Sequence, residues 1–149
     1  MNNDEWGSNK IANGGNVANN GWRTLTATEM EYLLDEDNYD HYMVTLSFVG
    51  KQGLIILPAG FTPDFDITDG MSLTKSQWNA LDAAGCIFFV ADNYRTATPS
   101  MANTGSYFWL NTAAENTASA LVVDKTTGAS IANFNKKIGG FVRLVKDVE

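Results

Sequence analysis

A single cysteine, Cys86, leaves this chain with no internal disulfide and no zinc site built from thiolates. It sits in the apolar run Cys86-Ile87-Phe88-Phe89-Val90, where a small buried thiol is expected and no neighbouring base activates a nucleophile. His41 is the only histidine, set in an acidic stretch and expected to be solvated, so a hydrolytic triad lacks its base. Basic residues are also few. Ten Lys and Arg, scattered along the chain against seventeen Asp and Glu, give a net charge of -7, which argues against a nucleic-acid partner because phosphate binding needs a basic surface. Long apolar runs are missing, so no transmembrane segment is expected. The start Met1-Asn2-Asn3-Asp4-Glu5 is too polar for a signal peptide, and any export signal is expected to have been removed or never to have existed.

What is present suits one globular domain over residues 1–149. Hydrophobic residues make up 44% and aromatics 11%, more than a disordered chain carries, and the length is enough to bury a core without staples. Residues 1–21 hold Trp6 as a candidate packing anchor among Asn13-Gly14-Gly15-Asn16 and Asn19-Asn20-Gly21, a looped lead-in. The chain then writes out a helix start: Thr26 can cap the first turn, Glu29 can reach back to the Thr26 amide, and Leu25 can staple to Met30. The same pattern returns with Thr74 and Gln77 as the box and Leu73 and Trp78 as the staple, predicting a second helix from about Lys75 to Ala84 with Gly85 at its end.

Between the helices, residues 42–49 read as a strand, Gly50-Lys51-Gln52-Gly53 as a tight connection, and Leu54-Ile55-Ile56-Leu57 as a central buried strand of a hairpin. A long loop covers residues 58–72. Residues 86–91 predict a third strand and Tyr107-Phe108-Trp109-Leu110 a short aromatic one. A meander closes the chain: residues 118–124, a turn at Lys125-Thr126-Thr127-Gly128, residues 129–134, and Phe141-Val142-Arg143-Leu144-Val145. Helices early and strands late point to an α+β fold with an antiparallel sheet.

Several segments, in order, resemble one family: Glu5-Trp6-Gly7, Gly21-Trp22-Arg23-Thr24-Leu25-Thr26, Gly53-Leu54-Ile55-Ile56-Leu57-Pro58, Trp78-Asn79-Ala80-Leu81, Asn93-Tyr94-Arg95, Gly105-Ser106-Tyr107 with Trp109, and Gly140-Phe141-Val142-Arg143-Leu144-Val145. The set is similar to surface domains of gut Bacteroidetes and to the Fibrobacter succinogenes major paralogous domain, in the formylglycine-generating-enzyme branch of the C-type-lectin-like fold. The resemblance implies two helices flanking a twisted antiparallel sheet with long loops, an extracellular or cell-surface setting, and ligand contacts in loops before the last strands. It also implies that relatives carry further strands ahead of Trp6-Gly7, so the chain is expected to be a shortened domain. Where relatives show Tyr-Trp-Ser-Ser-Thr, this chain has Phe108-Trp109-Leu110-Asn111-Thr112, which sets Leu110 aside as a contact.

The enzymes of that branch hold copper with two cysteines, so with Cys86 alone no enzymatic activity is expected. Calcium-dependent C-type lectins resemble the chain in fold only, since their Glu-Pro-Asn or Gln-Pro-Asp loop and Trp-Asn-Asp motif are missing. Asp64-Phe65-Asp66-Ile67-Thr68-Asp69-Gly70 begins like a calcium loop, yet Lys75 stands where a bidentate glutamate is needed. No metal and no cofactor are expected. The candidate ligand-binding residues are Asn93, Tyr94, Arg95, Ser106, Tyr107, Trp109, Asn111 and Asn116, with Asn133 nearby in the same mixture of rings and amides. Tyr107 and Trp109 alternate, so they fit a core-facing strand equally well. Arg143, in an apolar strand, is expected to pair with a carboxylate. The expected partner is a glycan or a protein. The alternative is a structural or assembly domain, a surface or fimbrial component completed by another chain at the sheet edge.

Overall fold

The computed structural model describes residues 22–92, 94–95, 101–102 and 104–146. The expected looped lead-in over residues 1–21 lies outside the described residues. In chain order the elements are β1 (Trp22–Arg23), α1 (Ala27–Leu33), β2 (His41–Leu46), β3 (Lys51–Ile56), β4 (Ser72–Leu73), α2 (Lys75–Ala83), β5 (Ile87–Val90), β6 (Tyr94–Arg95), β7 (Met101–Ala102), β8 (Gly105–Ala113), β9 (Thr117–Asp124), β10 (Gly128–Asn135) and β11 (Val145–Lys146). The fold is α+β, with two helices and several sheets.

Both helices begin at the expected boxes. The Thr26 hydroxyl accepts from the Glu29 amide at 3.2 Å while the Glu29 carboxylate accepts from the Thr26 amide at 2.8 Å. Thr74 and Gln77 repeat this at 3.3 and 2.9 Å. Each box satisfies donors that the first helical turn leaves orphaned. Leu25 packs against the cluster that contains Met30, and Leu73 and Trp78 share another, as a staple requires. Gly85, at φ 90°, ends α2 in the left-handed conformation that glycine adopts without strain.

Four strands form one sheet in the order β4-β2-β3-β5, and three form a second in the order β10-β9-β8. In the first sheet β3 is central, and its side chains alternate between two cores. Leu54 and Ile56 join Met30, Phe89, Phe108, Leu121 and Val123 between the two sheets, on the side where α1 packs. Ile55 and Leu57 join Val44, Leu73, Leu81 and Cys86 on the other face, under Trp78 of α2. A strand buried on both faces reads as a continuous apolar run, which is why residues 54–57 show no alternation.

Two expectations are corrected. The β2–β3 turn is residues 47–50, and Gly53 is not part of it: it lies inside β3, opposite Val44 on one side and Val90 on the other. A Cβ there would collide with the Phe89 carbonyl oxygen and come within 2.7 Å of the Phe88 ring, so glycine is needed for β3 and β5 to approach. The closing strand is also not continuous over residues 141–145. Only Val145–Lys146 is a strand, paired with β1, while Phe141 makes a single parallel bridge to Phe108.

Two outcomes follow from these contacts. Gly53→Ala should destabilise the protein by about 1–3 kcal/mol, read as a lower urea midpoint at unchanged slope, because the added methyl overpacks a closed pair of strands. The second concerns Glu29, whose pKa is lowered from 4.5 to about 2, first by the Arg23 guanidinium, which donates two hydrogen bonds of 2.7 and 2.6 Å, and then by the Thr26 groups. A depressed carboxyl stabilises the fold fully above its unfolded value and loses that contribution as pH falls from about 4.5 to about 2. The side chain is 39% exposed, so solvent screening keeps the effect to about 1 kcal/mol or less. Glu29→Gln, which keeps the cap geometry, should flatten stability against pH across that window in acid denaturation.

Candidate functional site

β8 decides where the candidate residues point. Ser106, Phe108 and Leu110 are buried, with Phe108 and Leu110 in the inter-sheet core, while Tyr107 and Trp109 alternate to the opposite side and are half-buried, as is Asn111. The ambiguity between core and surface thus resolves by face: the core took Phe108 and Leu110 and left Tyr107 and Trp109 on the outer face of the three-stranded sheet. On that face β9 presents only Ala118, Ala120 and Val122, aligned with Phe134, Ala132 and Ser130 of β10. The small residues of the middle strand leave room for rings from its two neighbours to meet across it. Tyr107 and Phe134 do so, stacked at 4.2 Å between centroids and 23° between planes.

The outer end of this face is closed by the chain after β10. The Trp109 amide donates to the Phe141 carbonyl at 2.9 Å and the Phe141 amide to the Tyr107 carbonyl at 2.6 Å. Gly140 lies against the same two residues: a Cβ there would come within 2.8 Å of the Tyr107 carbonyl oxygen and 3.0 Å of the Trp109 indole nitrogen. Gly140 and Phe134 are the two members of the site that sequence reading missed. Phe134 shares the parity of Ala132 and Ser130 in β10, a signal that identifies its face only once the pairing with β8 is known.

Other expected residues fall elsewhere. Ser106, expected as a ligand contact, is fully buried at 0% exposure, and its hydroxyl accepts from the Asp92 amide at 2.8 Å. Its role is structural, because Asp92 in turn receives Lys51 at 2.7 Å, tying the ends of β3 and β5 to β8. Asn111 donates its amide to the Leu25 carbonyl at 2.7 Å, at the irregular stretch of β8 between Trp109 and Ala113. Asn116 is exposed in the β8–β9 turn, its carbonyl accepting from Lys136. Asn133 lies on the opposite face, where its side-chain oxygen accepts from Ser119 at 2.8 Å. Tyr94 and Arg95 form β6, paired with β7 through the backbone, and Asn93 lies outside the described residues.

The reactive candidates are placed as structural groups. Cys86 is buried, and its thiol pKa is raised first by that burial and then by the charge of Asp82. His41 is half-buried as the first residue of β2, not solvated in a turn, with Nδ1 at 3.4 Å from the Tyr39 carbonyl. Asp69, in the loop that begins like a calcium site, accepts from the Met43 amide at 2.7 Å. Among the described residues no three His, Cys, Asp or Glu side chains gather as a metal needs, and no helix is long and apolar enough to cross a membrane. Arg143 does not meet a carboxylate among the described residues. Its guanidinium lies 5.2 Å from the Phe89 ring centroid and donates to the Phe88 carbonyl at 3.1 Å, so the cation is stabilised by a ring face and a strand edge.

With that geometry in place, comparison with known proteins adds no identity. No protein-family model, no curated protein and no solved structure matches this chain.

The cross-strand stack carries a measurable expectation. A double-mutant cycle with Tyr107→Leu and Phe134→Leu should give a coupling of about 0.5–1.5 kcal/mol in chemical denaturation, the range for aromatic pairs beyond their buried area. Additive single effects would mean the rings do not stack in solution.

Proposed function

We propose that this chain is a non-catalytic, extracellular or cell-surface recognition module of C-type-lectin-like architecture, binding a glycan or protein ligand. The observation that carries the reading is the outer face of β8–β10, where Tyr107 and Phe134 stack and Trp109 shares their side of β8, with half-buried Asn111 following in the same strand. Half-buried rings anchored by their neighbours offer flat apolar area at little entropic cost, and an asparagine side chain such as that of Asn111 can both donate and accept. That combination suits a sugar ring, whose axial C–H groups stack and whose hydroxyls hydrogen-bond. The α+β arrangement is compatible with the lectin-like architecture. The buried Cys86, the packed His41 and the use of Asp69 as a backbone acceptor all favour binding over turnover.

A second reading has its own observation. The outer edge of β10 is uncovered among the described residues, which favours a structural or assembly domain completed by another chain.

A glycan array probed with the purified protein, with and without a calcium chelator, tests the first reading against Trp109→Ala. Chelator-insensitive binding should fall roughly 30-fold in the variant, the effect of removing about 2 kcal/mol of hot-spot contact. Circular dichroism must show the variant folded. Binding unchanged in folded Trp109→Ala would remove this face from recognition, and binding abolished by chelator would show a calcium site instead.

A further inference from the structure

The sheet edges of this protein are not treated alike. β4 has two residues and β5 four; the β5 edge is occupied by Arg143 at the Phe88 carbonyl, and the β8 edge by Phe141 and Leu25. β10 is different. It runs eight residues, Gly-Ala-Ser-Ile-Ala-Asn-Phe-Asn, in unbroken register with β9, and carries no charge, no proline and no bulge. Lysines, prolines, bulges and covering segments are the devices by which edges avoid pairing, and among the described residues β10 uses none of them. In a chain of net charge -7 this eight-residue edge has no charged side chain of its own to repel another strand.

We infer that β10 pairs antiparallel with β10 of a second copy about a two-fold axis through Ala132, joining two three-stranded sheets into one of six. Opposite residues in an antiparallel pair share a face, so the axis must pass through a residue and not between two. The charges at the strand ends choose which. An axis through Ala132 sets Lys136 of one copy across from Gly128 of the other, next to Asp124, its partner on β9. Two strand spacings separate these positions by about 10 Å, within the combined reach of a lysine and an aspartate. Asp124 is held ready, its carboxylate accepting from the Thr126 and Thr127 amides at 2.8 and 2.9 Å. An axis through Ile131 instead sets Lys137 across from Lys125, like against like. The Ala132 register also places Phe134 of each copy opposite Ser130 of the other, where no bulky side chain obstructs it. The inference rests on the assembly reading of the β10 edge and not on glycan binding.

Sedimentation velocity on the ligand-free protein tests it. The wild type should pass from monomer to a species of about twice the mass as concentration rises through the micromolar range. Ala132→Lys and Ala132→Glu each place two like charges opposite one another at the axis and should remain monomeric, while an equimolar mixture of the two should recover the dimer. Should either charged variant fail to fold by circular dichroism, Ala132→Cys gives the same reading, forming a disulfide-linked dimer on oxidation because Cys86 is buried. A wild type monomeric at every concentration overturns the inference, and so does a dimer that survives both charged variants or a mixture that does not recover. None of these outcomes depends on a glycan, so loss of the recognition reading would leave this test intact.

Discussion

Burial of β3 on both faces and both edges is the constraint on which the other elements depend. Leu54 and Ile56 face one core and Ile55 and Leu57 the other, so neither core closes unless β2 and β5 lie alongside and α2 lies beneath. Each of these four side chains contributes about 1.5–3 kcal/mol on full burial, which makes this short run a dense source of stability among the described residues. The close approach requires a glycine, since Gly53 removes the side chain that would hold β5 away. The resulting slab is rigid enough to carry the second sheet on its upper face.

How the second sheet is attached explains where its outer face points. Phe108 meets Phe89 edge-on at 5.0 Å and Phe141 in a stack at 5.3 Å, and Arg143 lies over the Phe89 ring. This row of rings runs from the β5 edge through the inter-sheet core to the surface, where Phe141 is 41% exposed. The buried Ser106 hydroxyl fixes the rotation of β8 beside it. With Phe108 directed inward, strand alternation directs Tyr107 and Trp109 outward, so the aromatic face is a consequence of core packing and not an independent feature.

Much of the scaffold was legible from local chemistry. Thr26 with Glu29 and Thr74 with Gln77 announce helix starts because the cap hydrogen bonds span three residues, and residues 54–57 announce a two-sided strand because burial leaves no room for polar alternation. What was not legible depends on distant contacts. Gly53 looks like a turn glycine until Phe89 is known to face it. Residues 141–145 look like a strand, yet Gly140 steers the chain across Tyr107 and Trp109, and Arg143 turns back to the β5 edge. Ser106 looks like a surface hydroxyl because its partner, the Asp92 amide, is fourteen residues away. The face of Tyr107 could not be decided from β8 alone, since Phe108 and Leu110 are as apolar as its neighbours.

The aromatic face and the β10 edge belong to one surface, and their proposed roles reinforce each other. A two-fold axis perpendicular to a sheet leaves both halves facing the same way, so pairing at β10 sets two Tyr107–Phe134 stacks on one side of a continuous six-stranded sheet. Phe134 stands in the edge strand itself, which brings the two stacks close across the axis. A ligand that repeats along its length can then occupy both, and the second contact forms at the high effective concentration set by the first. On the proposed roles, weak stacking on one face is reinforced by the second contact. A strand edge without charge gains on both counts, because β10 neither repels its own copy nor selects against an uncharged polymer.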